Sequence, residues 1–381
     1  MSRFIPPGKT IGILGGGQLG RMMAIAARPM GYRIAVLEPK KDSPTGQTAD
    51  KEVVAAYDDR SGAEELAEIC DVLTYEFENI DGETASFLEE TLYLPQGSGL
   101  LTTTQHRLKE KTALEKAGVQ VAPYVPVRTS EDLEQALSRL GRPAVLKTCR
   151  GGYDGKGQVV IKEDTSAEEA FAEVSKGLEA DLVLEAWIPF VKEISVVVTR
   201  STTGETTAFP TGENKHVNSI LHQTIVPARI SVELTEKAEA IAFQLAEKLN
   251  LVGTLAVEMF VVNEDTLYVN ELAPRPHNSG HYTIEACETS QFEQHIRAVC
   301  GWPLGSCELT KPAVMTNILG QHIPYVMDHL TDFAKGHLHL YGKDEAKTGR
   351  KMGHWTVTGK SVEEALEKTE EVWPEYLTID K

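Results

Sequence analysis

The chain has 381 residues, 41% of them hydrophobic, 25% charged and 7% aromatic, with a formal net charge of −18. This is the composition of a soluble globular protein with room for two or three cores, and no run reaches the roughly 18 apolar residues of a membrane span. The acidic balance argues against nucleic acid and anionic membrane as partners, and any anionic substrate must be met by a few local cations.

No apolar leader precedes Thr10, so no secretory signal is expected. The five scattered cysteines form no C-x-x-C pair, which points away from a disulfide framework or a zinc site and towards a reducing cytoplasm. Thr10 to Leu14 reads as a strand, Leu19 to Ala27 as a helix and Tyr32 to Leu37 as a second strand. Further alternation continues that pattern, and a parallel α/β sheet is expected over residues 1–105. Between the first strand and helix lies Gly15-Gly16-Gly17-Gln18-Leu19-Gly20, a G-x-G-x-x-G turn, with Glu38 near the spacing of a ribose-binding carboxylate. Such a turn suits a dinucleotide, a monophosphate resting against the helix start, or tight packing alone. The monophosphate is the reading preferred here.

From residue 106 the pattern becomes α+β. His106 to Lys116 reads as a charged helix, and Ala144 to Thr148 and Gln158 to Lys162 read as strands around a second glycine loop. In Val145-Leu146-Lys147-Thr148-Cys149-Arg150-Gly151-Gly152-Tyr153-Asp154-Gly155-Lys156-Gly157-Gln158, four glycines fall within seven residues. That excess over an ordinary hairpin suits a lid whose amides wrap polyphosphate, with Lys147 aimed at phosphate oxygens. Asp181 to Ala186 is a strand, Glu193 to Arg200 alternates at period two, and Thr235 to Leu249 is an amphipathic helix.

Thr254 to Val262 and Thr266 to Glu271 read as a hairpin. A two-residue loop at Glu264-Asp265 pairs 263 with 266, and so Glu258 with Glu271. Opposed carboxylates in an apolar hairpin repel unless a hard cation such as Mg²⁺ lies between them. After residue 300 come short strands, turns and a late helix, Val362 to Thr369.

A strand lysine before a glycine lid, then Glu185-Ala186-Trp187-Ile188, then Glu193, then two metal-type glutamates, resembles the ATP-grasp superfamily. Within it, Gly15 to Met22, Arg150 to Gln158, Asn270 to His281 and Arg350-Lys351-Met352-Gly353-His354 resemble the 5-(carboxyamino)imidazole ribonucleotide synthase family of purine biosynthesis, as does Tyr75-Glu76-Phe77-Glu78. The resemblance implies an ATP-grasp fold of α/β and α+β parts. These are a Rossmann-like pre-ATP-grasp domain (1–105), an ATP-grasp domain (106–300, lid about 120–187) and a small β-rich C-terminal domain (301–381). It also implies a ligase that carboxylates 5-aminoimidazole ribonucleotide with ATP, bicarbonate and Mg²⁺ or Mn²⁺, through carboxyphosphate, in a cytoplasmic homodimer.

Carried over by position, Arg107, Lys147 and residues Gly152, Tyr153, Asp154, Gly155, Lys156, Gly157 and Gln158 meet ATP phosphates. Glu185, Ala186, Trp187 and Ile188 read adenine, and Glu193 holds ribose. His216, Asn270 and Glu271 complete the nucleotide contacts, and Glu258 and Glu271 bind the metal. The ribonucleotide and bicarbonate fall to Gln18, Leu19, Glu76, Tyr153, Asp154, Arg275, Asn278, Ser279, Arg350 and Lys351. Tyr153, Asp154, Arg275 and His277 are the catalytic set.

Many ATP-grasp enzymes carry Asn two residues after the second metal glutamate. Here that position is Ala273, and Asn270 would point to the opposite face of a regular strand. The alternatives are a formate-dependent glycinamide ribonucleotide transformylase, which shares the Pro-Arg-Pro-His segment, a dinucleotide oxidoreductase resting on the first glycine turn, and a nucleotide-binding regulator without turnover.

Overall fold

A computed structural model describes residues 3–152, 154–176 and 181–374. The first part is a four-stranded parallel sheet in the order Lys51–Val53, Arg33–Leu37, Thr10–Leu14, Val72–Tyr75. Apart from the short edge strand Lys51–Val53, its strands are almost wholly buried, as expected where helices cover both faces. The first strand and the helix Gln18–Ala27 bury Ile11, Ile13, Met22 and Met23 in one core with Phe292 and Ile296 of the helix Gln291–Cys300. The α/β part is therefore anchored to the rest of the chain by apolar packing.

A small antiparallel sheet carries the second glycine loop, in the order Tyr124–Val127, Leu182–Ala186, Ala144–Thr148, Gln158–Ile161. The helices Ser130–Leu140 and Ala167–Ser175 cover one face of it and enclose Leu133, Leu146, Ile161 and Leu184. The opposite face looks towards a nine-stranded sheet. There, Lys192–Arg200 pairs along its whole length with Gly253–Val261. Its central residues are buried on both faces, so the period-two alternation in the sequence does not mark a solvated side.

The last part differs from a free-standing β-rich unit. Ala313–Leu319, Lys351–Thr358 and His337–Leu340 continue the nine-stranded sheet from the strand Ile220–Val226 to its edge. Short helices at Ile323–Asp328 and Leu330–Phe333, which the turn-rich sequence did not announce, bury Val326 and Phe333 against Trp355. Because the sheet is continuous, Lys351 lies on the same rigid surface as Glu258 and Glu271.

Candidate active site

A cavity of about 670 Å³ separates the small sheet from the nine-stranded sheet. One end of it is apolar on one side, where Phe190 and Phe260 stack at 4.5 Å and Val145, Val160 and Leu272 add aliphatic wall. Glu185 supplies the polar group. Its Oε2 is 3.1 Å from both Lys147 Nζ and Lys111 Nζ, while its Oε1 has no partner among the described residues. Burial alone would raise the Glu185 carboxyl, but Lys147, Lys111 and Arg107 outweigh it and hold it at about 2. Oε1 is therefore a fixed anionic acceptor suited to an amino group. The amides of Ala186 and Trp187 are committed to the carbonyls of Pro123 and Pro143, at 2.8 and 3.3 Å. Ile188, next in the chain, also lines the cavity.

The helix Arg107–Ala117 contributes more than its charged composition announced. Arg107, Glu110, Lys111 and Leu114 follow the i, i+3, i+4, i+7 spacing of one face, and that face is turned inward. Arg107 Nη1 is 3.3 Å from Glu271 Oε2. Glu110 accepts from the Leu272 amide at 2.8 Å, and its carboxyl is pushed up to about 8 by burial and then by Glu271. Glu110 and Lys111 were missed because a charged helix is ordinarily solvated; the signal was two charges on the helix's one apolar stripe.

Glu258 and Glu271 are directly paired across the hairpin, as the sequence implied, but the route to that register differs. Val262 bonds to Thr266, so the loop has three residues, Asn263 to Asp265. Pairing then runs Val261 with Leu267 to Met259 with Val269 before a β-bulge restores Glu258 with Glu271. Asn270 is the extra residue. A bulge turns two successive side chains to one side, so Asn270 lines the cavity with Glu271 and does not point away. Its Oδ1 is buried with no partner among the described residues.

Burial, then Glu271, raises the Glu258 carboxyl to about 7. Two mutually repelling carboxylates and an orphaned amide oxygen make three hard oxygen donors that fit a divalent cation of the Mg²⁺ class.

A buried hydrogen-bond chain ends on Glu258. Thr224 Oγ1 donates to Asn214 Oδ1 at 3.0 Å, and Asn214 Nδ2 donates to Ser195 Oγ at 3.0 Å. Ser195 Oγ donates to Ser279 Oγ at 2.8 Å, and Ser279 Oγ lies 2.9 Å from His277 Nδ1. His277 Nε2 lies 3.2 Å from Glu258 Oε1. Each donor is used once only if Ser279 donates to Nδ1, which assigns the proton to Nε2 and aims it at Glu258. Burial, then Arg275, holds His277 well below the usual imidazole range, so the ring is neutral. Ser279 is 1% exposed and is not among the residues that line the cavity. Nothing in the sequence marked Asn214, Ser195 or Thr224, whose pairing exists only across strands distant in the chain.

The remaining residues cluster as follows. Glu193 Oε1 is 3.1 Å from His216 Nδ1, which opposes burial and raises the imidazole. Arg275 Nε is 2.5 Å from Glu78 Oε2, and Asn278 lines the cavity. Lys351 Nζ reaches the lid at Asp154 Oδ1, 2.8 Å away. Arg350 adjoins it but donates to the Glu345 carbonyl at 3.0 Å and is not part of the cavity wall. Lys343, absent from the sequence reading, donates to the Lys351 carbonyl at 2.7 Å. Burial, then Arg350, lowers its ammonium to about 8. Tyr153 lies outside the described residues.

The second glycine loop needs its glycines: Gly151, Gly155 and Gly157 have φ of +73°, +77° and +72°. A Cβ on Gly155 would sit 2.7 Å from Ser219 Cβ, on the facing hairpin.

The first glycine turn is closed by the protein itself. Glu76 accepts from the amides of Gly17 and Gly20 at 2.6 and 2.9 Å, and Glu38 accepts from Gly16 at 2.8 Å. Glu38 and Glu76 are therefore both engaged by the turn's own amides, and Glu38 does not wait for a ribose. Two carboxylates at the amides oppose a dinucleotide pyrophosphate, which corrects that alternative. Among the described residues only the Gln18 and Leu19 amides at the helix start remain without a partner. Leu19 itself is buried.

Comparison with known proteins identifies three consecutive regions. Residues 8–105 match a ribonucleotide synthetase preATP-grasp domain, 112–292 an ATP-grasp domain, and 313–368 a phosphoribosylaminoimidazole carboxylase C-terminal domain. The chain is 54% identical over 371 residues to an N5-carboxyaminoimidazole ribonucleotide synthase of Bacillus subtilis, covering 97% of each chain. It is 45% identical over 356 residues to a Staphylococcus aureus protein of the same name, covering 93% of this chain and 94% of that one. The ADP complex of an N5-carboxyaminoimidazole ribonucleotide synthetase superposes with a TM-score of 0.95 at 57% identity over 98% of both chains. An Aspergillus clavatus N5-carboxyaminoimidazole synthase bound to ADP and 5-aminoimidazole ribonucleotide gives 0.88 at 31% identity, covering 96% of this chain and 97% of that one.

Proposed function

The chain belongs to the N5-carboxyaminoimidazole ribonucleotide synthase family of ATP-grasp ligases, and we propose that its cavity joins bicarbonate to the exocyclic amine of 5-aminoimidazole ribonucleotide with cleavage of ATP. The observation that carries this is the single cavity holding three sets of groups. They are an adenine slot under Glu185, an oxygen donor set at Glu258, Asn270 and Glu271, and a cationic end at Arg275 and Lys351.

A bicarbonate oxygen attacks the γ-phosphorus of ATP, the bond to the β-phosphate oxygen breaks, and carboxyphosphate and ADP result. Lys147 and Arg107 offset the charge on the phosphoryl oxygens. To do so, Arg107 must leave Glu271 and Lys147 must share Glu185. Glu258 and Glu271, with Asn270, would hold Mg²⁺ or Mn²⁺, which when bound neutralises phosphate charge. His277 positions Glu258 through its Nε2 proton. Loop 150–158 closes over the phosphates and keeps water from the mixed anhydride. The amine nitrogen then takes the carboxyl carbon, phosphate departs, and the amine proton passes to phosphate or to Asp154.

Lys351, with Lys343 behind it, faces the ribonucleotide phosphate, and the open amides of Gln18 and Leu19 offer a second anion contact. The protein works in the cytoplasm as a homodimer. All five cysteines are free, which suits a reducing compartment.

The test is ADP release by the purified protein, which requires 5-aminoimidazole ribonucleotide and bicarbonate together. Equal release with formate and glycinamide ribonucleotide would move the assignment to the transformylase, and no release with either pair would leave a nucleotide-binding regulator.

A further inference from the structure

Away from the nucleotide cavity, the outer strands of the large sheet carry a second cluster of metal-ligating groups. His339 and His354 are directly paired in register on the strands His337–Leu340 and Lys351–Thr358, so their side chains share a face. Their rings stack at 4.4 Å. Glu285, from the short helix Thr283–Ala286, closes over them, with its Oε1 2.6 Å from His339 Nε2. One ligand atom from each of the three lies within 4.8 Å of the others.

Two features distinguish this cluster from an ordinary imidazole–carboxylate hydrogen bond. His354 is fully buried, yet its Nε2 has no partner among the described residues, and neither has Glu285 Oε2. Orphaned buried acceptors are costly unless a ligand satisfies them. His354 Nδ1, in contrast, is 2.9 Å from the hydroxyl of buried Tyr341. A ring held at one nitrogen and presenting the other is the usual arrangement of a metal-bound imidazole. Burial, then His281 and His339, holds His354 well below its ordinary range, so its lone pair is available at neutral pH.

We propose that Glu285, His339 and His354 form a binding site for one divalent transition-metal ion, with water as the fourth ligand from the solvent side of His339. Two imidazoles and a carboxylate select the borderline ions, Zn²⁺ or Co²⁺, over Mg²⁺. Bonds of about 2.0–2.2 Å place tetrahedral ligands roughly 3.4 Å apart. The ion therefore replaces the His339–Glu285 hydrogen bond, and as both side chains turn to admit it His339 leaves its near-parallel stack on His354, because parallel rings cannot aim two in-plane lone pairs at one ion. The site ties the sheet edge to the chain just after His277 and Asn278, and His354 lies three residues beyond Lys351. Its role is to fix the strand that carries Lys351 against the segment that lines the cavity.

The test uses the full chain, stripped with chelator and kept in excess Mg²⁺ and ADP so that the nucleotide site is filled. Titration with Co²⁺ should give about one equivalent bound, visible absorption of a four-coordinate ion, and a raised melting midpoint. His339→Gln should weaken Co²⁺ binding by at least about tenfold and remove the melting shift, while ADP binding stays unchanged. His339 is 33% exposed at the sheet edge, so this variant keeps the fold. Glu285→Gln should act in the same direction. No Co²⁺ uptake, uptake equal in both variants and the parent, or uptake abolished by raising Mg²⁺ and ADP would each overturn the site. ADP binding by the same sample tests the nucleotide assignment separately.

Discussion

The two glycine-rich turns begin alike and end as opposites. Each follows a strand, and each offers backbone amides. In the first, three of those amides are taken by Glu38 and Glu76, and a Cβ on Gly17 would lie 2.3 Å from Glu76 Oε1. In the second, Gly151 has open space where a Cβ would go, and the loop faces a cavity. A glycine motif therefore reports close backbone approach, and which acceptor makes that approach is decided by residues far away in sequence. Most amides of the first turn are closed by the protein's own carboxylates, whereas the second borders the cavity.

The contrast is broken most severely at the metal end of the lid's cavity. Glu271→Gln should lower turnover by about a thousandfold or more, roughly 4 kcal/mol in the barrier, with the fold retained, as steady-state ADP release and circular dichroism would show. Substantial Mg²⁺-dependent turnover in this variant would remove Glu271 from the ligand set.

Next in size, Glu76→Ala should destabilise the fold by about 3 kcal/mol, because two buried amides lose their acceptor. Denaturant unfolding measures this, and Gly151→Ala in the lid should cost only about 1 kcal/mol. Equal losses would erase the distinction between the turns.

Lys351→Ala should raise the Michaelis constant for the ribonucleotide about tenfold, roughly 1.4 kcal/mol, and leave that for ATP nearly unchanged. A rise in the ATP constant alone would misplace the phosphate contact.

The smallest effect concerns pH. The Glu258 carboxyl is raised from 4.5 to about 7 in the folded protein. The protonated form is therefore favoured by folding, and the stabilisation is complete below about 4.5 and lost as pH rises through about 7. A cation reverses the preference, so the melting shift produced by Mg²⁺ and ADP should grow from pH 6 to pH 8. In Glu258→Gln that growth should disappear, and a shift that shrinks with pH in the parent would contradict the assignment.

Much of the site was legible because local pattern and chemistry agreed. Lys147 between apolar neighbours and Glu258 opposite Glu271 were readable from strand pattern and turn spacing, whereas Glu185 was singled out only by the family resemblance. The hairpin register was reached from a two-residue loop, whereas a three-residue loop and a compensating bulge produce it. Bulges depend on neighbouring strands, and so the inward turn of Asn270 was hidden. The chain from Thr224 to His277 joins four separate segments, and Lys343 resembles any solvated lysine until the sheet buries it. Glu76 lies in a segment that resembles the family, but its partners are amides 56 and 59 positions earlier.

The claim that only the second turn receives nucleotide phosphate is tested most directly by amide hydrogen exchange with and without Mg²⁺ and ADP, in the absence of ribonucleotide. The account predicts slower exchange across residues 148–158, by about tenfold or more, and no change across residues 15–20. Protection of residues 15–20 with residues 148–158 unaffected would contradict it.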